Sequence, residues 1–227
     1  MAITVQALLA NAASLLQDTT NVRWTAAQLL VWLNDGQREL VLLKPDAYVK
    51  STATILVAGT KQTIPTDGIY LVDIPRYLGT DGITPTNSVK SISREILDNQ
   101  VPDWHAARHA NVRPKHFIYN ELEPKRFYVY PPQPTSGFGY VEVVYTAVPP
   151  DAVSPGSLSL ADEYAGALLS FILFRAYSQD SEWAGNKELS AMHYGHFVGL
   201  LTGKDQAEDE TTPNKALGPM GPPGGNK

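Results

Sequence analysis

The sequence predicts an α+β fold: a helical bundle built from N- and C-terminal helix pairs, with an inserted antiparallel β lobe and an extended C-terminal tail. Apolar residues recur with the helical period in residues 1–48 and 151–203, which form the two halves of the bundle. Residues 49–150 instead alternate with period two between turn signals, as in β-strands. Residues 204–227 have almost no core-forming side chain, which predicts an extended, flexible tail.

The N-terminal pair is predicted to comprise a helix over residues 4–17 and a longer helix that ends near Leu43. Thr25 is the expected N-cap of the second helix, and Gln28 completes a capping box. Lys44-Pro45 supplies the stop, because the residue before a proline disfavours helical geometry. The main apolar face of this helix comprises Leu29, Trp32, Leu33, Gly36, Leu40 and Leu43.

The same helix carries apolar residues on two further faces. Leu30 and Val41 fall on one of them, and Val31 and Leu42 fall on the other. A helix this apolar is either sandwiched inside its own domain or pressed against another subunit.

The C-terminal pair is predicted to be a third helix from Ser159 to about Tyr177 and a fourth near residues 182–201, with Gly203 as its C-cap. The third helix contains the most apolar run of the chain, residues 164–177. That run is about 14 residues long, whereas a membrane span needs about 20. A buried helix is therefore the prediction.

Turn chemistry organises the β region. A turn at Gly59-Thr60 is expected to return the chain from a strand at 49–57 to a short strand at 61–64. Residues 88–97 are a strand candidate with some helical character, and 116–120 with 126–130 form a hairpin. The clearest strand is 139–147, whose alternate residues Val141, Val143, Tyr145 and Ala147 share one face.

Composition and motifs argue against several functions. The net charge of −5 and the lack of a Lys/Arg run argue against general attraction to nucleic acid. The absence of Cys excludes disulfides, thiol catalysis and Cys-ligated zinc. His105 and His109, near Asp103, are spaced as metal ligands, but the prolines around them disfavour the helix that such a pair needs. We predict no catalytic residue, no metal, no cofactor and no enzyme activity, since no catalytic or phosphate-binding motif is present.

Three segments share packing and turn residues with one known family. They are Trp24-Thr25 with Trp32–Glu39 and Lys44–Ala47; Pro114–Tyr119 with Arg126–Pro134 and Tyr140–Pro149; and Leu158–Leu160 with Asp162–Tyr164, Arg175–Tyr177 and Asp180–Glu182. In these patterns, over about residues 1–203, the chain resembles the head-to-tail adaptor (connector) proteins of tailed bacteriophages. The shared residues are packing and turn residues and make no catalytic signature.

The resemblance implies a structural virion protein that forms a ring, commonly of twelve subunits, at the head–tail junction. Such a ring docks beneath the portal protein, receives tail or nozzle proteins, and lets double-stranded DNA pass through its centre without sequence-specific binding. It implies assembly in the host cytoplasm and no membrane partner. Candidate subunit contacts are Leu30, Val31, Val41, Leu42, Phe171 and Phe174. Because the tail grips the portal in several such adaptors, candidate portal contacts are Leu217, Pro219, Met220 and Pro222.

An alternative from a different class is a tail-associated protein that binds carbohydrate or a host surface through the aromatic β lobe. Aromatic rings combine a large apolar body with a polar tip and therefore suit such contacts. The candidate contacts are Trp104, Tyr119, Tyr128 and Tyr130.

Overall fold

The computed structural model describes residues 3–180 and 184–211, and the α+β class is confirmed. The helices are α1 (Val5–Leu15), α2 (Ala26–Leu43), α3 (Arg94–Gln100), α4 (Ala165–Gln179) and α5 (Ala184–Thr211). The strands are β1 (Val49–Ile55), β2 (Gly59–Thr63), β3 (Gly68–Asp73), β4 (Lys90–Ser91), β5 (His116–Tyr119), β6 (Arg126–Gln133) and β7 (Tyr140–Ala147). The chain divides into two compact units. Residues 1–47 and 149–227 belong to the helical unit, and residues 48–148 form the β unit.

Threonine caps begin both N-terminal helices. The hydroxyl of Thr4 accepts the N–H of Ala7 at 3.2 Å, and the hydroxyl of Thr25 accepts the N–H of Gln28 at 3.2 Å. The predicted Thr25 cap is thus confirmed, and it satisfies a donor that the helix itself leaves unpaired. The reciprocal half of the capping box differs from the prediction, because the Gln28 side-chain amide donates to Gln179 at 2.7 Å. That bond ties the start of α2 to the end of α4.

The loop between α1 and α2 is organised by one carboxylate. Asp18 accepts the backbone N–H groups of Val22, Arg23 and Trp24 at 2.9, 2.8 and 2.7 Å. These bonds, that of Trp24 first among them, hold the pKa of the Asp18 carboxyl below its ordinary value.

We expect Asp18→Ala to lower the thermal unfolding midpoint at neutral pH, because three N–H groups lose their acceptor. The pKa of Asp18 is lowered by folding, so its contribution is complete above about pH 4, the ordinary aspartate range. It is lost as the pH falls through the lower folded-state pKa. Thermal unfolding followed by circular dichroism at a series of pH values should therefore show the two proteins converging in acid. Parallel curves across the series would contradict this role.

Helix α4 is the central helix of the helical unit, since it contacts α1, α2 and α5. Its buried side chains lie on most of its circumference, so the predicted buried helix is confirmed. Among the described residues, no helix is both long and apolar enough to cross a membrane. The helices α2 and α4 approach closely at Gly36, because a Cβ placed there would lie 2.9 Å from the Phe171 ring.

Helix α5 is longer than the sequence predicts. It passes through Gly203, the expected C-cap, and continues to Thr211, so residues 204–211 are helical and not extended. Lys204 explains the continuation: its ammonium pairs with the Glu163 carboxylate and lies 3.9 Å from the centroid of the Tyr164 ring. Both contacts hold the helix against the start of α4. Residues 212–227 of the predicted tail lie outside the described residues.

Two sheets share the core of the β unit. One has the order β1-β7-β3 and is antiparallel; the other has the order β2-β6-β5-β4, with a short parallel pair between β4 and β5. The core joins side chains from both sheets. The predicted alternation of β7 is confirmed, and the face with Val141, Val143, Tyr145 and Ala147 points inward, since these four residues are 0–2% exposed. Their partners from the other sheet include Phe117, Phe127 and Val129.

The predicted pairing of the first two strands is wrong. Strand β1 pairs with β7, whereas β2 pairs with β6 in the other sheet. The buried side chain of Gln62 holds the connection between β1 and β2 in place. Its oxygen accepts the N–H of Val57 and its amide donates to the Val57 carbonyl, each at 2.8 Å. Gly59, with a φ of 88°, then starts β2. The chain does turn at Gly59, but there it passes from one sheet to the other and does not form a hairpin.

The strand candidate at residues 88–97 is also largely wrong. Only Lys90–Ser91 is a strand, and the helix α3 follows from Arg94. Ser93 stands at the extended position before the helix, and Glu95 adds a favourable charge to its first turn. Leu97, 2% exposed, anchors the helix in a small second core with Trp104 and Ile118.

Candidate functional site

One side of α2 presents apolar residues to solvent. Val31 is 57% exposed and Leu42 is 61% exposed. They are eleven residues apart, three helical turns, so they lie on the same side of the helix. Asp35 and Arg38 lie between them on that side. We call Val31, Asp35, Arg38 and Leu42 the outer face of α2.

The other sequence-predicted contact residues lie deeper. Leu30 and Phe174 are half-buried. Val41 is 1% exposed and Phe171 is 5% exposed. Val41 and Phe171 therefore offer no surface to a neighbour, because the packing of the helical unit itself encloses them. Of the six predicted residues, only Val31 and Leu42 are strongly exposed.

Charged groups occupy the centre of the outer face of α2. The Arg38 guanidinium donates to Asp35 at 3.3 Å and also pairs with the carboxylate of Asp151. The guanidinium of Arg175, on α4, lies 3.5 Å from Asp35. Such half-exposed pairs contribute at most about 1 kcal/mol each. The main effect of these ion pairs is to hold the charged groups in place between Val31 and Leu42.

A second exposed apolar face lies on α5, where no subunit contact was predicted. Leu189, Met192 and Leu200 are 37%, 56% and 40% exposed, whereas Phe197 and Leu201 are 0% and 4% exposed and pack inward. His196 is exposed among the outward residues, and its Nδ1 lies 3.1 Å from the Ser170 hydroxyl. The outer face of α5 comprises Leu189, Met192, His196 and Leu200. The helical spacing of Leu189 and Leu200, eleven residues, was the available signal.

The β unit contains a groove of about 560 Å³. Three of the four predicted aromatic contacts, Trp104, Tyr119 and Tyr128, line it. Trp104 is only 1% exposed, however, and its indole N–H donates to Asp98 at 2.7 Å. The His105 ring stacks on it with 3.6 Å between centroids. The groove therefore lacks an open tryptophan platform, and carbohydrate binding stays a prediction.

The two histidines considered as metal ligands have separate partners. His105 Nδ1 lies 2.8 Å from the Thr60 hydroxyl, and His109 Nε2 lies 3.1 Å from Asp103 Oδ2. The Asp103 pKa is lowered, chiefly by its bond to His109. Within residues 3–180 and 184–211, no group of three or more His, Cys, Asp or Glu side chains is arranged to hold a metal ion.

The predicted portal contacts cannot be placed on this geometry. They are Leu217, Pro219, Met220 and Pro222, and all four lie outside the described residues.

Comparison with known proteins agrees with the resemblance noted in the sequence. No curated protein matched the chain. The family model described as SU10 adaptor protein matches residues 3–218, nearly the whole chain. The protein therefore belongs to the SU10 adaptor protein family of structural bacteriophage adaptors, and the resemblance to head-to-tail adaptors is confirmed.

Proposed function

We propose that copies of this protein assemble into a ring of twelve subunits at the neck of the virion. The ring docks on the portal protein, binds a tail or nozzle protein on its other side, and lets double-stranded DNA pass through its centre. Assembly takes place in the host cytoplasm before the neck is completed. The observation that carries this proposal is the pair of exposed apolar helix faces, on α2 and α5, in a chain of an adaptor family.

Two different exposed faces suit a ring better than a simple dimer. A contact between unlike surfaces repeats from copy to copy and closes when the rotation between copies is right. The exposed apolar side chains on the two faces would be removed from water by a contact between copies, which is favourable. The net charge of −5 is also compatible with a channel through which DNA slides without being held.

Native mass spectrometry of the full chain tests the proposal directly. The chain alone, or the chain mixed with the portal protein of the same virus, should give a mass close to twelve subunits, the number that the resemblance to head-to-tail adaptors implies. A mass that stays at one subunit in both samples would contradict the ring.

A shortened chain in the same experiment tests the C-terminal segment. The segment after Thr211 is proposed to grip the portal through Leu217, Pro219, Met220 and Pro222. The cut belongs after Thr211 and not after Gly203, because Lys204 contacts Glu163 and Tyr164. The shortened chain should still form the ring but should bind the portal more weakly. Equal portal binding by the two chains would remove the segment from the proposal.

A further inference from the structure

The two outer faces have the same apolar spacing. Val31 and Leu42 on α2 are eleven residues apart, and so are Leu189 and Leu200 on α5. Eleven helical residues rise about 16 Å and make three turns, so each helix presents two apolar contacts at the same separation. Two helices with matching contacts can pack along their length in a parallel or an antiparallel direction.

We infer that α2 of one copy packs antiparallel against α5 of the next copy in the ring. This inference rests on the proposed ring and names the surfaces that build it. Antiparallel packing places Val31 opposite Leu200 and Leu42 opposite Leu189. Each apolar side chain then meets another apolar side chain and is removed from water.

Polar groups fill the space between the apolar ends in this arrangement. Asp35 faces His196, and Arg38 faces His193. The Ser170 hydroxyl donates to the Gly166 carbonyl at 3.0 Å, so it accepts from Nδ1 of His196. The antiparallel direction also places the two helix dipoles in opposite directions, whereas parallel packing would align them side by side, which is less favourable.

Glycines beside the outer face of α5 leave room for a neighbouring helix. A Cβ placed at Gly195 or at Gly199 would meet no atom within 4 Å in the protomer. Each glycine costs the helix about 1 kcal/mol relative to alanine. The absence of side chains there lets a second helix approach closely, since interaxial distance depends on the side chains at the contact.

Packing of α2 against α2 of a second copy is the competing arrangement. It would also place Val31 opposite Leu42 and Asp35 opposite Arg38. A symmetric α2 contact, however, closes at two copies and leaves the outer face of α5 exposed. The pairing of α2 with α5 covers both faces in every copy.

Engineered cysteines test the direction of packing, because the natural chain has none. The full chain with Val31→Cys and Leu200→Cys should form disulfides between copies on mild oxidation, seen as a ladder of oligomers on a non-reducing gel. The matched variant with Val31→Cys and Leu189→Cys reports the parallel direction. The variant with Val31→Cys and Leu42→Cys reports the symmetric α2 contact. A ladder from the parallel variant, or a cross-linked dimer from the symmetric variant, with no ladder from the first variant, would overturn the inference.

A charge exchange provides a second test without cysteines. Leu42→Glu alone and Leu189→Lys alone should each weaken assembly. In the double variant the two new charges form an ion pair, so its copies should bind one another about tenfold more tightly than the copies of either single variant. Native mass spectrometry measures the ring in each case. If the ring forms in the natural chain but the double variant recovers nothing, the pairing of α2 with α5 is wrong and the ring stands. If the natural chain stays monomeric, both proposals fail.

Discussion

Leu42→Glu is expected to leave the protein folded but to prevent assembly. The side chain is 61% exposed in the protomer, so a carboxylate there stays hydrated in the monomer. In the ring it would be buried against an apolar surface without a partner. An unpaired buried charge costs about 2 kcal/mol or more at an interface, which weakens each contact about 30-fold. Native mass spectrometry should show monomers, and circular dichroism should show an unchanged helix content.

The adjacent residue provides the contrasting control. Val41 is 1% exposed, so Val41→Glu should unfold the helical unit and lower helix content as well as mass. Val22→Glu is the matched surface control, because Val22 is an apolar residue 83% exposed in the loop before α2. That variant should assemble normally. If the Leu42→Glu variant assembles at the same concentration as the natural chain, the outer face of α2 is not part of the interface.

Gly36→Leu is expected to destabilise the helical unit by about 1 kcal/mol. A Cβ at this position would lie 2.9 Å from the Phe171 ring and 3.4 Å from the Leu168 side chain. The larger side chain forces α2 and α4 apart, and overpacking of this kind costs about 1–3 kcal/mol. The gain in helix propensity, about 1 kcal/mol, is already included in the net figure. Urea unfolding followed by circular dichroism measures the change.

Gly195→Leu is the matched control on the exposed side of α5. A Cβ there meets nothing within 4 Å, so the same substitution should raise the free energy of unfolding by about 0.5–1 kcal/mol through helix propensity. Both variants are best measured with Leu42→Glu also present, so that assembly does not add to stability. Equal effects of the two substitutions would contradict the close approach of α2 and α4 at Gly36.

Local features of the fold were predictable and distant pairings were not. The Thr25 cap acts on Gln28, three residues away, so the sequence contains both partners of that bond. The alternation in β7 depends only on its own residues. The partner of β1 is different: Val49 pairs with Thr146, almost a hundred residues later. No turn signal between β1 and β2 could indicate that choice.

The sequence was sufficient to identify α2 as a helix with outward-facing apolar residues, but not to identify which of its side chains are exposed. Excess apolar surface on α2 correctly indicated outward-facing residues. Periodicity places Val31 and Val41 on different faces but cannot tell which of these faces is exposed, because both lie off the main buried face. Which residues are buried depends on packing against the second half of the helical unit, which begins at residue 149. The outer face of α5 could not be predicted in the same way, because Leu189, Phe197 and Leu200 fall within one broad apolar stripe, and only the packing separates the buried Phe197 from the other two.

The strands that carry the chain into and out of the β unit are neighbours. Val49, the first residue of β1, is the register partner of Thr146 near the end of β7. Adjacent strands lie about 5 Å apart, so the two crossing points of the chain are nearly in contact. The β unit is therefore a cassette, and a linker of a few residues would bridge the gap left by its removal. Replacing residues 48–148 with another β unit whose ends have the same spacing would therefore leave the connection to the helices before and after it unchanged.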